Sequence, residues 1–192
     1  GDTLQEQLEG ITNYVSQFQA SFPIILGGEH GMLPAIMKAV SQQVDLSELT
    51  LIQIDAHADL RDNLDGDSDS HACAARRSLD LGVSKILQIG IRTFAREEAI
   101  FAAEDSRVES WLARDILNPC GGEAMWLNWL NTLSEIEGPV WLTLDLDGLD
   151  VAYVPTTGTP VPGGLAYWQV VETIETIASA PGANWLGADV NE

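Results

Sequence analysis

Two apolar runs in this chain break off in the same way. "LTLIQI" (49–54) gives way to "DAHADLRD", and "PVWLTL" (139–144) gives way to "DLDGLD". Short apolar runs bounded by turn residues read as strands buried on both faces, which is the situation of strands in a parallel sheet covered by helices. Carboxylates at the end of such a strand are costly to strip of water and need a partner that offsets the cost. In an open parallel α/β sheet, the carboxyl ends of the strands are also where ligands bind.

The intervening segments supply the remaining layers. Leu4, Leu8, Ile11, Val15 and Phe18 fall at helical spacing, and Thr3 with Glu6 forms a capping-box pattern. "FPIIL" reads as a short buried strand ending at Gly27-Gly28, and "MLPAIMKAVSQQV" as the next helix, with Pro34 tolerable near its first turn. "HACAARRSLDLG", "REEAIFAAED", "GEAMWLNWLNTLSEIEG" and "AYWQVVETIETIAS" read as helices, the first stopped by Gly82. "KILQIGI" and "NWLGADV" read as strands, a short strand is expected near Val108 to Trp111, and "GLDVAYVPTTGTPVPGGL" reads as a long loop. The expectation is one α/β domain over residues 1–192 with a mainly parallel sheet. The polar residues Glu29 and His30, Asp55 to Asp59, Asp145 and Asp147, and Asp189 to Glu192 all follow apolar strands, so they converge at one rim.

The chain carries 29 acidic against 9 basic residues, a net charge of −20. Nucleic acid is a poor partner for it, since phosphate binding needs clustered Lys and Arg. An anionic membrane surface is disfavoured for the same reason, whereas cationic ligands and metal ions are attracted. Solubility or a salty habitat is the expected reason for the bulk of the excess. The two cysteines, Cys73 and Cys120, form no C-x-x-C pair and no disulfide framework, which points to a reducing, cytoplasmic setting. No signal-peptide pattern and no run of membrane-spanning length is visible. Gly1 at the start and the stop at "GADVNE" suggest a fragment.

In an extended segment, Asp55, His57 and Asp59 point to one side. Asp145 and Asp147 repeat the spacing at the other rim position, where two close carboxylates repel unless a cation lies between them. A cap plus a turn would explain "DAHAD" alone, but His30 adds an imidazole to the same acidic cluster. Four carboxylates and two imidazoles (His30, Asp55, His57, Asp59, Asp145, Asp147) suit a pair of divalent ions about 3.5–4 Å apart that activate water. Carboxylates favour manganese or magnesium, and imidazoles draw the preference toward manganese, iron, nickel or zinc. Arg61, Arg76 and Arg77 read as salt-bridge residues, and Trp126, Trp129, Trp141 and Trp168 as core or subunit-contact aromatics.

With these residues in place, the chain resembles the ureohydrolases (arginase, agmatinase and relatives). The resemblance rests on "GGEH", "DAHADLRD", "SHACAARR", "DLDGLDVAYVPTTGTPVPGG" and "ADVNE", in the family's order from Gly27 to Glu192, and is stronger toward the agmatinases. It implies a three-layer α/β/α fold and two Mn2+ ions, with Ni2+, Co2+ or Fe2+ as alternatives. One ion would take His30, Asp55, Asp59 and Asp145; the other would take Asp55, His57, Asp145 and Asp147. His71 matches the family's proton-shuttle histidine, and Glu192 the glutamate that pairs with the substrate guanidinium. Asp59 would hold the attacking hydroxide and pass its proton to the leaving amine. The chain departs from the usual pattern at Glu29, Gly31, Val151 and Thr156, where Asp, Ser, Pro and Gly are commoner. The resemblance further implies a small cationic guanidino substrate, agmatine, cleaved to putrescine and urea, a homo-oligomer (trimer or hexamer), and additional elements before "GGEH" and after Glu192. Two alternatives stay open: hydrolysis of another guanidino or formimino compound (guanidinobutyrate, guanidine, arginine), or a metal-binding domain without turnover.

Overall fold

The structure, a computed structural model, describes residues 3–18 and 21–192. Helix α1 (Leu4–Val15) opens with the expected cap: Thr3 accepts from the Glu6 N–H while Glu6 accepts from the Thr3 N–H. Strand β1 (Ile24–Leu26) leads through a 3-10 turn at His30–Met32 into α2 (Leu33–Val40), whose Pro34 lies in its first turn. Then come β2 (Thr50–Ile54), a 3-10 turn at His71–Cys73, α3 (Ala74–Asp80) and β3 (Lys85–Ile91). Helix α4 (Arg96–Glu104) precedes β4 (Val108–Leu112), the short α5 (Ala113–Ile116) and α6 (Gly122–Ser134). Strand β5 (Gly138–Asp145), a 3-10 turn at Leu146–Gly148, α7 (Tyr167–Ser179) and β6 (Ala183–Asn191) complete the order.

The six strands form one wholly parallel sheet in the order β1-β6-β5-β2-β3-β4. Alternation along each strand sends side chains to two cores. Leu51, Ile86 and Trp141 pack with Leu33, Ile36 and Met37 of α2 and Leu79 of α3. Ile52, Leu87 and Leu142 pack on the other face with Trp129 and Leu133 of α6 and Val170 and Ile177 of α7. The result is the expected α/β/α layering. Ile36 and Met37 are fully buried, and each contributes about 1.5–3 kcal/mol by leaving water.

The path of the chain places the site. Leaving β2, the chain crosses to β3 by way of α3, on the first face; leaving β5, it crosses to β6 by way of α7, on the second. β2 and β5 are neighbours in the sheet, so their C-terminal ends diverge and open a crevice between them. Asp55 follows β2 directly, and Asp145 is the last residue of β5.

Three sequence readings need correction. Strand β1 is not buried: Ile24 and Leu26 are 63% and 79% exposed, because this edge strand pairs only with β6 and turns only Ile25 to the core. Trp168 is 73% exposed, so of its two readings, core or subunit contact, the core one is withdrawn. The "DAHAD" segment is not extended: β2 ends at Ile54, and Asp59 takes a left-handed φ of 54°.

Candidate metal centre

Asp55 is the hub of the crevice. Its Oδ1 accepts the His57 N–H at 2.6 Å, a tight Asx turn that swings the chain back over the strand end. Asp147, in the 3-10 turn after β5, accepts the Ala56 N–H through Oδ1, and Thr159 donates to its Oδ2 at 3.0 Å. The two strand ends are therefore tied to each other. The left-handed bend at Asp59, rather than strand alternation, returns its carboxylate to the cluster.

His30 is buried with Nδ1 aimed into three carboxylates: Asp59 Oδ2 at 3.0 Å, Asp55 Oδ2 at 3.2 Å and Asp145 Oδ2 at 3.5 Å. No aligned hydrogen bond satisfies that nitrogen. His57 Nδ1 lies 3.0 Å from Asp147 Oδ2 and 3.6 Å from Asp55 Oδ1. Two compact donor groups result, His30–Asp55–Asp59 and Asp55–His57–Asp147, each with its ligand atoms within 4.8 Å of one another. They share Asp55. Asp145 stands just outside both, its Oδ1 accepting the Asp147 N–H at 2.9 Å.

The electrostatics of this cluster are those of crowded carboxylates. Burial and the neighbouring Asp55 charge push Asp59 up to about 7 and Asp145 up to about 9. Burial also pushes Asp55 up, but its bonds to His30 and His57 outweigh that and hold it well below the usual range. Burial lowers His57 and His30. Asp147 and Asp55 nevertheless raise His57 to about 10, and Asp55 and Asp59 raise His30 well above 6.5. Without a metal, protons bound to these groups relieve the repulsion. The donor set of imidazole nitrogen and carboxylate oxygen equally fits divalent cations in their place.

A polar row, buried except at its Ser110 end, lies two residues before Asp55 and Asp145. Asp189, Thr143, Gln53, Gln88 and Ser110 are paired in register across β6, β5, β2, β3 and β4. Gln53 donates to Asp55 Oδ2 at 2.8 Å, and Gln88 donates to Gln53 Oε1 at 2.7 Å. Thr143 donates its one hydroxyl proton to Asp189 at 2.6 Å, so it accepts from His30 Nε2 at 2.8 Å. That fixes the proton of neutral His30 on Nε2 and leaves Nδ1 as the free donor atom, the arrangement that orients metal-binding histidines. From sequence Asp189 is expected among the strand-end residues, but it lies buried inside β6, and Gln53, Gln88 and Thr143 are not singled out, so the sequence does not reveal this row. Its one signal was a lone Gln, Thr or Asp inside each of four apolar runs.

His71 stands beside the cluster, and Glu192 just past the end of β6. His71 lines a cleft of about 260 Å³ together with His57, Asp59, Arg61, Phe94 and Glu98. Glu192 follows β6 with φ 69°, its N–H bonded to the Gly28 carbonyl and its carboxylate against Gly158. Arg61 pairs with Glu97 and Glu98, and Arg76 and Arg77 with Asp62 and Asp80, as the sequence suggests. Asp150 accepts the N–H groups of Ala152, Gly163 and Gly164 and so closes the loop that carries Thr159.

The chain has known relatives. Residues 2–192 match the family model described as the arginase family. The chain belongs to the arginase family. An agmatinase of Pyrococcus horikoshii is 36% identical over 174 residues, covering 91% of this chain and 56% of that protein. An N(1)-aminopropylagmatine ureohydrolase of Synechocystis is also 36% identical, over 88% of this chain and 52% of that protein. The crystal structure of agmatine ureohydrolase of Thermoplasma volcanium superposes with a TM-score of 0.82 at 29% identity, covering 100% of this chain and 61% of that one. The chain thus spans little more than half the length of the curated arginase-family relatives it matches. No helix among the described residues is long and apolar enough to cross a membrane.

Proposed function

We propose that this arginase-family chain hydrolyses the guanidino group of agmatine, releasing urea and putrescine, at a centre that holds two Mn2+ ions. The observation that carries the reading is the pair of donor groups sharing Asp55, the first of which contains the unsatisfied Nδ1 of His30. His30, Asp55, Asp59 and Asp145 would hold one ion; Asp55, His57, Asp145 and Asp147 would hold the other. When bound, the ions would neutralise these carboxylates and supply hydroxide near neutral pH.

The remaining work falls to side chains. Glu192 would take the guanidinium by charge-assisted hydrogen bonds. Asp59, at the junction of the His30 group and the cleft, would orient the attacking hydroxyl and hand its proton to the leaving amine. His71, on the cleft wall and 46% exposed, is suited to pass protons to bulk water. The net charge of −20 favours entry of a cationic substrate.

The test is urea release by the manganese-loaded chain from agmatine, N(1)-aminopropylagmatine, guanidinobutyrate and arginine, with metal content measured in parallel. Agmatine should turn over fastest, and Asp55→Asn should abolish both ion uptake and urea. Bound metal with no urea from any of the four would leave a metal-binding domain and defeat the proposal.

A further inference from the structure

Glu29 and Gly31 flank His30, and neither is one of the donors described above. Glu29 Oε1 accepts the backbone N–H of His71 at 2.9 Å and lies 2.9 Å from His71 Nδ1. Its Oε2 accepts the Gly31 N–H at 3.1 Å, capping the 3-10 turn. An ionised carboxylate only accepts, so the short approach to Nδ1 requires the proton to be there. Nε2 is then the free nitrogen of a ring that lines the cleft. Gly31 makes the arrangement possible: a Cβ at that position would lie 2.5 Å from Glu29 Oε2 and 3.0 Å from the Asp69 carbonyl.

We propose that Glu29 is a positioning residue for His71, holding the ring with its proton on Nδ1 and its unprotonated Nε2 available to the cleft, and that Gly31 keeps open the space this carboxylate needs. The inference rests on the reading of His71 as the proton relay. Both residues are about half exposed, but two backbone N–H bonds pin the carboxylate, so the contact does not depend on a bare surface ion pair. Glu29 thereby links the turn bearing His30 to the turn bearing His71, 42 residues apart in sequence.

Aspartate separates capping from positioning. Glu29→Asp can still bond the Gly31 N–H as an Asx turn, but it is one methylene too short to reach the ring. Glu29→Gln keeps the length and an accepting oxygen. The experiment is nitrogen–proton correlation of the imidazoles in the metal-free chain at pH 9, where free imidazole is neutral; only three histidines are present, and His71→Asn assigns the signal. Wild type and Glu29→Gln should show the proton of His71 on Nδ1. Glu29→Asp and Gly31→Ser should move it toward Nε2. The same two variants should lower kcat about tenfold, with KM and metal content unchanged. Persistence of the Nδ1–H form in Glu29→Asp, or a shifted proton with full kcat, would overturn the proposal. If the wild type releases no urea, the functional reading falls, while the metal-free spectra still decide whether Glu29 sets the ring.

Discussion

Thr143 Oγ1 lies 2.8 Å from His30 Nε2, and its own proton is committed to Asp189. The orientation of the deepest imidazole is thus set from beneath, by a side chain of β5 that never reaches the cleft. Thr143→Val preserves shape and removes both bonds. It leaves Nε2–H without an acceptor and Asp189 short of a donor, at about 1–3 kcal/mol for each buried group. We expect a lower denaturation midpoint and a 10–100-fold loss of metal affinity. Titration calorimetry with Mn2+ checks this, and unchanged affinity would show that His30 needs no support from the row.

Protonation of the metal-free centre predicts a stability profile. His57 titrates at about 10 against 6.5, Asp145 at about 9 and Asp59 at about 7 against 3.8. Each holds its proton in the folded chain to a higher pH than in the unfolded one. The folded state therefore binds more protons between about pH 4 and 10, and stability falls as pH rises through that window. Asp55 works in the opposite direction, but only below its unfolded value of 3.8. Metal requires deprotonated ligands, so Mn2+ should restore stability most strongly at the alkaline end, with release of protons. Thermal melts from pH 5 to 10, with and without Mn2+, should show a gap that widens with pH. A flat metal-free profile would contradict this electrostatic account.

The sheet and the convergence of Asp55, His57, Asp145 and Asp147 were legible in sequence because apolar runs ending in carboxylates have few other solutions. The local geometry was not. Asp59 reaches the cluster through a left-handed bend that alternation does not foresee. Gln53, Gln88 and Thr143 look like isolated polar intrusions until strand register aligns them with Asp189. The exposure of β1 depends on its edge position, which follows from strand order rather than from "FPIIL" itself. Glu29 read as a variation beside His30 because its partner, His71, lies 42 residues away.

Arg92 is the keystone of the loop that carries Thr159. Its half-buried guanidinium donates to the carbonyls of Gly90, Asp147, Leu149 and Val161, with no carboxylate among these partners. Burial lowers its pKa, against the pull of Asp147 and Asp150. A planar fork of five donors suits this ring of carbonyls; an ammonium with three does not. Arg92→Lys should destabilise the chain by about 1–3 kcal/mol by leaving buried carbonyls unpaired. Hydrogen exchange should show the 147–164 segment opening before the sheet, and uniform destabilisation would deny Arg92 a local role.

Gly148 sets the distance between the two strand ends. A Cβ there would lie 2.8 Å from the Asp55 nitrogen and 3.0 Å from the Ile54 carbonyl carbon, both backbone atoms of β2 or its end. Neither can move without moving the Asp55 carboxylate that both donor groups share. Gly148→Ala should cost about 1–3 kcal/mol from overpacking. It should also push Asp147 from His57, weakening the second donor group more than the first. Metal titration should then resolve one ion near wild-type affinity and one weakened at least tenfold. Equal weakening of both would mean that the strand ends move together, and that the spacing at Gly148 does not separate the two groups.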